Sequence, residues 1–241
     1  MRNCIVKYGS NVYTTEVDSL DYVAKHTTIP SPSLLGYYEH AGKLYIFMSR
    51  MPRVLLDEVI RQLGPEQLQT ISSELKLITD QLRRLRISDF EDDWYIGSLN
   101  RQPCRDFIFS PNPKRSKGPF SSEIEFYENI ITRWKDSVLD PPIFESEIEF
   151  IRKLYSEISG SELILTHGDL IPHNILVQNG HVTGIIDWGQ SGWYPAYWEY
   201  VKAMWGCVDL WETVWPLEIS QFLKPFNYAL LVDTRLRRML R

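Results

Sequence analysis

Thr166-His167-Gly168-Asp169-Leu170-Ile171-Pro172-His173-Asn174-Ile175-Leu176-Val177, followed after a tight turn by Gly184-Ile185-Ile186-Asp187-Trp188-Gly189, is the stretch on which this chain's fold turns. Asp169 and Asn174 stand five positions apart (174 − 169) around a short loop, and Asp187 lies thirteen further on (187 − 174). Between them, Asn174 to Gln178 and Val182 to Asp187 read as two strands around Asn179-Gly180, a hairpin signature. A hairpin sets its two ends side by side, so Asn174 and Asp187 can share one hard cation such as Mg2+, which prefers oxygen ligands. Asp169, on the loop but outside that pair, is placed to accept a proton from an attacking hydroxyl. Each of the three also has an ordinary reading as a turn former, and their joint spacing argues against it.

Working outward, Leu163 to Thr166 leads into this stretch as a strand, and a Trp-rich helical segment follows it, with Trp188, Trp193, Trp198, Trp205, Trp211 and Trp215 read as core packing at least as readily as a substrate cage. Glu199, Asp209 and Glu212 in that segment are candidates to face a cationic substrate, and His173 reads as a loop filler. Upstream, helices are predicted over 121–136 and 145–158. Residues 87–120 carry Pro103, Pro111, Pro113, Gly118 and Pro119 without a sustained period, the composition of a long functional or mobile loop. Helices are predicted over 55–63 and 65–85, the latter with Leu68, Ile71, Leu75, Ile78, Leu82 and Leu85 on one face. The first fifty residues read as a strand (4–8), a helix (14–26) and a hairpin (34–39 and 43–48), with a hinge near residue 50.

Composition narrows the class. The chain has 241 residues, 44% hydrophobic and 24% charged, which excludes collagenous and wholly disordered proteins. A formal net charge of -5 gives no general attraction for nucleic acid or anionic membrane. The basic tail Arg235, Arg237, Arg238 and Arg241 reads as a solvated helix end. Three scattered cysteines suggest neither a disulfide framework nor a zinc-thiolate site, and no signal or membrane-spanning run is visible, so a cytoplasmic protein is expected. Two rival chemistries fail on spacing. Gly189-Gln190-Ser191-Gly192-Trp193 lacks the final Gly of a nucleophile elbow, and His167, Asp169 and His173 have no helical frame for a transition metal.

The His167-Gly168-Asp169 motif with Asn174, followed by Ile186-Asp187-Trp188, resembles the catalytic and metal-binding segments of the aminoglycoside phosphotransferase and choline kinase-like superfamily, especially its fungal members. Similar segments extend along the chain: Ile5-Val6-Lys7-Tyr8-Gly9, Ile29-Pro30-Ser31-Pro32, Ile46 to Pro52, Ile96-Gly97-Ser98-Leu99, Gly118-Pro119-Phe120 and Tyr197-Trp198-Glu199-Tyr200. The resemblance implies an α+β, protein-kinase-like bilobal fold, with residues 1–50 a partial nucleotide-binding lobe and 51–241 a mainly helical lobe. It implies an ATP- and Mg2+-dependent transfer of the γ-phosphate to a hydroxyl of a small molecule. By the same resemblance Asp169 is the catalytic base, Asn174 and Asp187 hold the metal against ATP, and Lys7, fixed by Glu16, steadies the phosphates. Met48 lines the adenine pocket, Ser49 to Met51 bond the base, and His167 braces the loop. In that family two strands and a phosphate-covering loop precede the lysine strand, whereas Lys7 is the seventh residue here. An N-terminally shortened, kinase-like binding or regulatory module is therefore the alternative expectation, and a protein Ser/Thr kinase the lesser one.

Overall fold

The computed structural model describes residues 3–51, 54–89, 94–106, 108–109, 116–137, 144–205 and 214–238. Alternation of apolar and polar residues builds its first layer. Strands β1 (Cys4–Gly9), β2 (Leu34–His40) and β3 (Lys43–Ser49) form an antiparallel sheet in the order β1-β3-β2. In β3 the even positions Leu44, Ile46 and Met48 are buried. Lys7 lies opposite Ile46, on that same inner face. Helix α1 (Thr14–His26) packs beneath, burying Val17, Leu20 and Val23 at helical spacing.

The remaining chain is mainly helical. Pro65 opens helix α3 (Pro65–Arg84), and the Gln67 side chain accepts the Gly64 N–H at 3.1 Å, so the helix start is closed locally. Its buried stripe, Ile71, Leu75, Ile78 and Leu82, is the predicted one, each side chain contributing about 2 kcal/mol of burial. The predicted helix over 55–63 is shorter than expected: α2 covers only Leu56–Val59 before a 3-10 turn at Ile60–Gln62. Helices α4 (Glu123–Ser137) and α5 (Phe144–Ile158) follow, then strand β4 (Leu163–Thr166), the β5–β6 hairpin (Ile175–Gln178 and His181–Ile185), a strand β7 (Gly192–Pro195), and helices α6 (Trp198–Trp205), α7 (Trp215–Phe222) and α8 (Asn227–Arg238).

Two expectations are corrected here. The segment after Asp187 is not helical throughout, because Gly192–Pro195 pairs antiparallel with β4, Trp193 opposite Leu165. The described part of 87–120 is not a loose loop. Tyr95, Ile96, Leu99, Cys104, Ile108, Phe109 and Phe120 are buried, and Gly97 exchanges backbone hydrogen bonds with Trp193 at 3.1 and 2.8 Å. Isolated bridges of this kind have no period to read. Trp188, Trp193, Trp198 and Trp215 are all core residues, while Trp211 and Arg241 lie outside the described residues. No helix among the described residues is long and apolar enough to cross a membrane.

Candidate functional site

The hairpin that organises the site is set by its turn. Asn179 and Gly180 both have positive φ (53° and 79°), which matches the right-handed twist of the flanking strands. At its open end the Ile186 N–H donates to the Asn174 carbonyl at 3.0 Å, so the residues on either side of the two strands are neighbours. Asn174 sits in a 3-10 turn, Pro172–Asn174, and Asp187 adopts a left-handed conformation (φ 64°) immediately after the return strand.

Asp187 faces the sheet. Its Oδ1 lies 2.9 Å from the Lys7 ammonium, which is also 2.6 Å from Glu16 Oε2. Glu16 comes from the first turn of α1 and is 3% exposed. Burial opposes the charge on Lys7, yet Glu16 and Asp187 together outweigh it and hold the ammonium above its usual range. Burial likewise pushes Glu16 upward despite its lysine partner. Asp187 is the reverse case: burial would raise it, but Lys7 brings it below the ordinary carboxylate value.

Asp169 lies on the other side of Asn174. The Asn174 amide donates to the Asp169 carbonyl at 2.8 Å and to its Oδ2 at 3.0 Å. The Asp169 N–H donates to His167 Nδ1 at 3.2 Å, and His167 Nε2 meets the Ile186 carbonyl at 3.0 Å. With Nδ1 accepting, the proton belongs on Nε2, and burial lowers the imidazole pKa, so His167 is a neutral strut between the loop and the hairpin. Burial raises the Asp169 carboxyl, with Lys202 and the Asn174 amide opposing. Gly168 has φ 78°, and a Cβ there would stand 2.7 Å from the Gln190 carbonyl, so only glycine fits this turn.

One cavity of about 350 Å3 is lined by Lys7, Glu16, Met48, Ser49, Met51, Asn174 and Asp187, the residues expected to meet nucleotide and metal. Ile5, Leu55, Leu176 and Ile186 add apolar wall, and His173, read as a filler, also lines it while bonded to Asp57 at 2.8 Å. Asp169 is not part of that wall. The donor set suits Mg2+: an amide oxygen and a carboxylate, with no group of three His, Cys, Asp or Glu among the described residues able to hold a metal alone. Magnesium takes one or two protein oxygens and completes its shell with phosphate and water.

Glu199 corrects the sequence expectation. It is 4% exposed and does not face a substrate; it accepts the N–H of His167 at 2.5 Å and of Gly168 at 3.2 Å. Its signal in the sequence is a charge set among the aromatic and apolar residues Trp198, Tyr200 and Val201. Asp209 and Glu212 lie outside the described residues. Ser191, of the rejected nucleophile elbow, is fully buried and donates to the Thr166 carbonyl at 2.7 Å.

A profile described as the phosphotransferase enzyme family matches residues 11–221. An aminoglycoside 3'-phosphotransferase of Enterococcus faecalis is 26% identical over 194 residues, 78% of this chain and 65% of that protein. One of Staphylococcus aureus is 25% identical over 194 residues, with the same coverage of 78% and 65%. The chain thus matches just under two thirds of the length of these curated relatives. Among solved structures, a thermostable mutant of aminoglycoside phosphotransferase APH(4)-Ia with ADP and hygromycin B superposes at a TM-score of 0.60 with 15% identity, covering 98% of this chain and 72% of that one. Choline kinase LicA from Streptococcus pneumoniae gives 0.51 with 12% identity, covering 98% and 74%. These two share the α+β fold of this chain.

Proposed function

Because the chain belongs to the phosphotransferase enzyme family, we propose that it transfers the γ-phosphate of Mg2+-ATP to a hydroxyl of a small molecule. The observation that carries this reading is the single cavity in which Lys7, Glu16, Asn174 and Asp187 converge, with Asp169 hydrogen-bonded to Asn174 beside it. Phosphoryl transfer asks little covalent chemistry of a protein and much positioning and electrostatics, which is what these residues offer.

Each group has a role that follows from its bonds. The Lys7 ammonium carries three donors, and Glu16 and Asp187 take two, so one is left to direct at a phosphate oxygen. Asn174 donates its amide N–H to Asp169, which leaves its side-chain carbonyl oxygen as the atom that would hold a metal, with Asp187 as the second ligand. Asn174 and Asp187 would hold Mg2+, and the chemistry it would supply when bound is neutralisation of phosphate charge. Asp169 Oδ2 is held by Asn174, which leaves Oδ1 to accept the proton of the acceptor hydroxyl, and its raised pKa suits a general base. The Ser49 and Arg50 amides are engaged with Ser33 and Asn3, at 2.9 and 2.8 Å, so the base of the nucleotide is met by carbonyl groups of this segment and by Met51.

Isothermal titration with Mg2+-ATP tests the reading. Parent protein is expected to bind, and Asp187→Ala to bind about ten-fold or more weakly, since a metal ligand is lost. Asp169→Asn is expected to keep nucleotide affinity while lowering ADP release with small-alcohol acceptors, aminoglycosides and choline among them, by about a hundred-fold or more. Absence of binding heat at millimolar nucleotide would favour the kinase-like binding module instead.

A further inference from the structure

Away from the cavity, two consecutive residues hold a backbone conformation that side chains rarely adopt. Asn100 (φ 55°) and Arg101 (φ 56°) are both left-handed, and neither is glycine. They form the tip of a turn closed by the Gln102 N–H on the Leu99 carbonyl at 3.2 Å and by the Ser98 N–H on the Gln102 carbonyl at 3.0 Å. The Arg101 N–H donates to the hydroxyl of buried Tyr95 at 3.1 Å, which fastens the strained tip. Strain that a fold retains points to a use for the geometry it enforces.

That geometry delivers Gln102 to helix α1. Its Oε1 accepts the Thr14 hydroxyl at 3.1 Å, and its amide donates to Asp18 Oδ2. Thr14 and Asp18 are four positions apart, so one side chain spans one face of the helix start. Close by, the Arg105 guanidinium lies 3.9 Å from the centre of the Tyr13 ring, on the residue that precedes the helix. Tyr13 provides no side-chain cap, so the first turn of α1 is held from outside, by segment 102–105. The same segment is anchored in turn through the Gly97 and Trp193 backbone bonds.

Glu16 stands two positions from Thr14 and two from Asp18, about 200° around the helix, and therefore on the side away from Gln102. There it meets Lys7 at 2.6 Å. Fraying or rotation of the turn at its Gln102 face would carry Glu16 off Lys7. The Thr15 hydroxyl on the Gly189 carbonyl, at 3.2 Å, ties the same turn to the loop just past Asp187 but leaves the Thr14 and Asp18 face to Gln102.

We propose that Gln102 is a positioning residue for the phosphate end of the cavity: by bridging Thr14 and Asp18 it fixes the first turn of α1, and with it Glu16 against Lys7. The proposal rests on the reading that Lys7 meets the phosphates of Mg2+-ATP.

Calorimetric titration with Mg2+-ATP, at a temperature where thermal melts show every variant folded, tests it. Gln102→Leu is expected to weaken binding about five-fold, in the range for residues that act on a site without touching the ligand. Asp18→Ala removes the same bond from the helix side and should give a similar loss. Gln102→Glu, which sets two carboxylates against each other, should also bind weakly, and it stands in for Gln102→Leu should that variant not fold. Adding Asp18→Asn to Gln102→Glu exchanges amide and carboxylate across the bond and should restore most of the affinity, a rescue that a general loss of stability would not show. In a Glu16→Gln background, Gln102→Leu should weaken binding no further, since the group it positions is gone. Parent-like affinity in Gln102→Leu, no rescue by the exchange, or losses that multiply with Glu16→Gln would overturn the role of Gln102 and leave the nucleotide site standing. A parent without binding heat, or a Lys7→Met variant that binds as the parent does, would overturn the reading of the cavity and this role with it.

Discussion

Glu199 shows how one side chain can be visible in a sequence and still be misplaced. Its position in Tyr197-Trp198-Glu199-Tyr200 marks it as unusual, but a sequence does not say whether a charge in an apolar helix points to ligand or to backbone. The fold directs it to the His167 and Gly168 N–H groups, and burial pushes its carboxyl up to about 7. That has a consequence for stability. The unfolded chain releases this proton near the ordinary value of 4.5 while the folded chain retains it, so Glu199's contribution is full below that pH and declines up to about 7. A shift of this size corresponds to about 3 kcal/mol. Urea denaturation of parent and Glu199→Gln should show the parent losing stability relative to the variant, by about that amount, between pH 4 and 8. A difference that does not vary with pH would remove the raised pKa from the account.

At the level of elements, those with a long period were legible. The α3 stripe and the β2–β3 hairpin are where the sequence puts them, because burying a face requires a repeat. Strand β7 and the described residues of 94–120 were not legible, since they are held by short, isolated pairings. Gly192 is the tightest of these contacts: a Cβ there would stand 2.3 Å from the Gly97 carbonyl and 2.8 Å from Ser98 Cα. Both obstacles are backbone and cannot swing aside. Gly192→Ala is therefore expected to destabilise the chain by about 3 kcal/mol or more in equilibrium denaturation, the upper range of overpacking effects. Gly64→Ala is the control, because its added Cβ meets nothing closer than 4.0 Å, and its cost should stay below about 1 kcal/mol. Equal costs at the two positions would mean that segment 94–106 does not pack on β7 as described.

For the whole molecule, what matters is that the cavity draws Lys7, Glu16, Met48, Ser49 and Met51 from the first 51 residues and Asn174 and Asp187 from a hairpin more than a hundred residues later. Asn174 and Asp187 were legible as candidates from their spacing, whereas Lys7, Glu16, Met48, Ser49 and Met51 were singled out by family resemblance alone. Their convergence is a property of the fold: β1 turns Lys7 inward, α1 brings Glu16 beneath it, and the left-handed backbone at Asp187 directs its carboxylate back to Lys7. A ligand filling this cavity touches the amino-terminal sheet and the hairpin at once and so resists their separation. At a hundred times its dissociation constant, Mg2+-ATP would add about 2.7 kcal/mol to stability. For a chain of this size that is a rise in Tm of roughly 5–10 °C. The Lys7→Met variant starts from a lower Tm, because Glu16 is then buried without its cation, so the informative quantity is each protein's rise with nucleotide. That rise should shrink to a small fraction of the parent's. A Lys7→Met protein that gains as many degrees as the parent would show that the nucleotide binds away from this cavity.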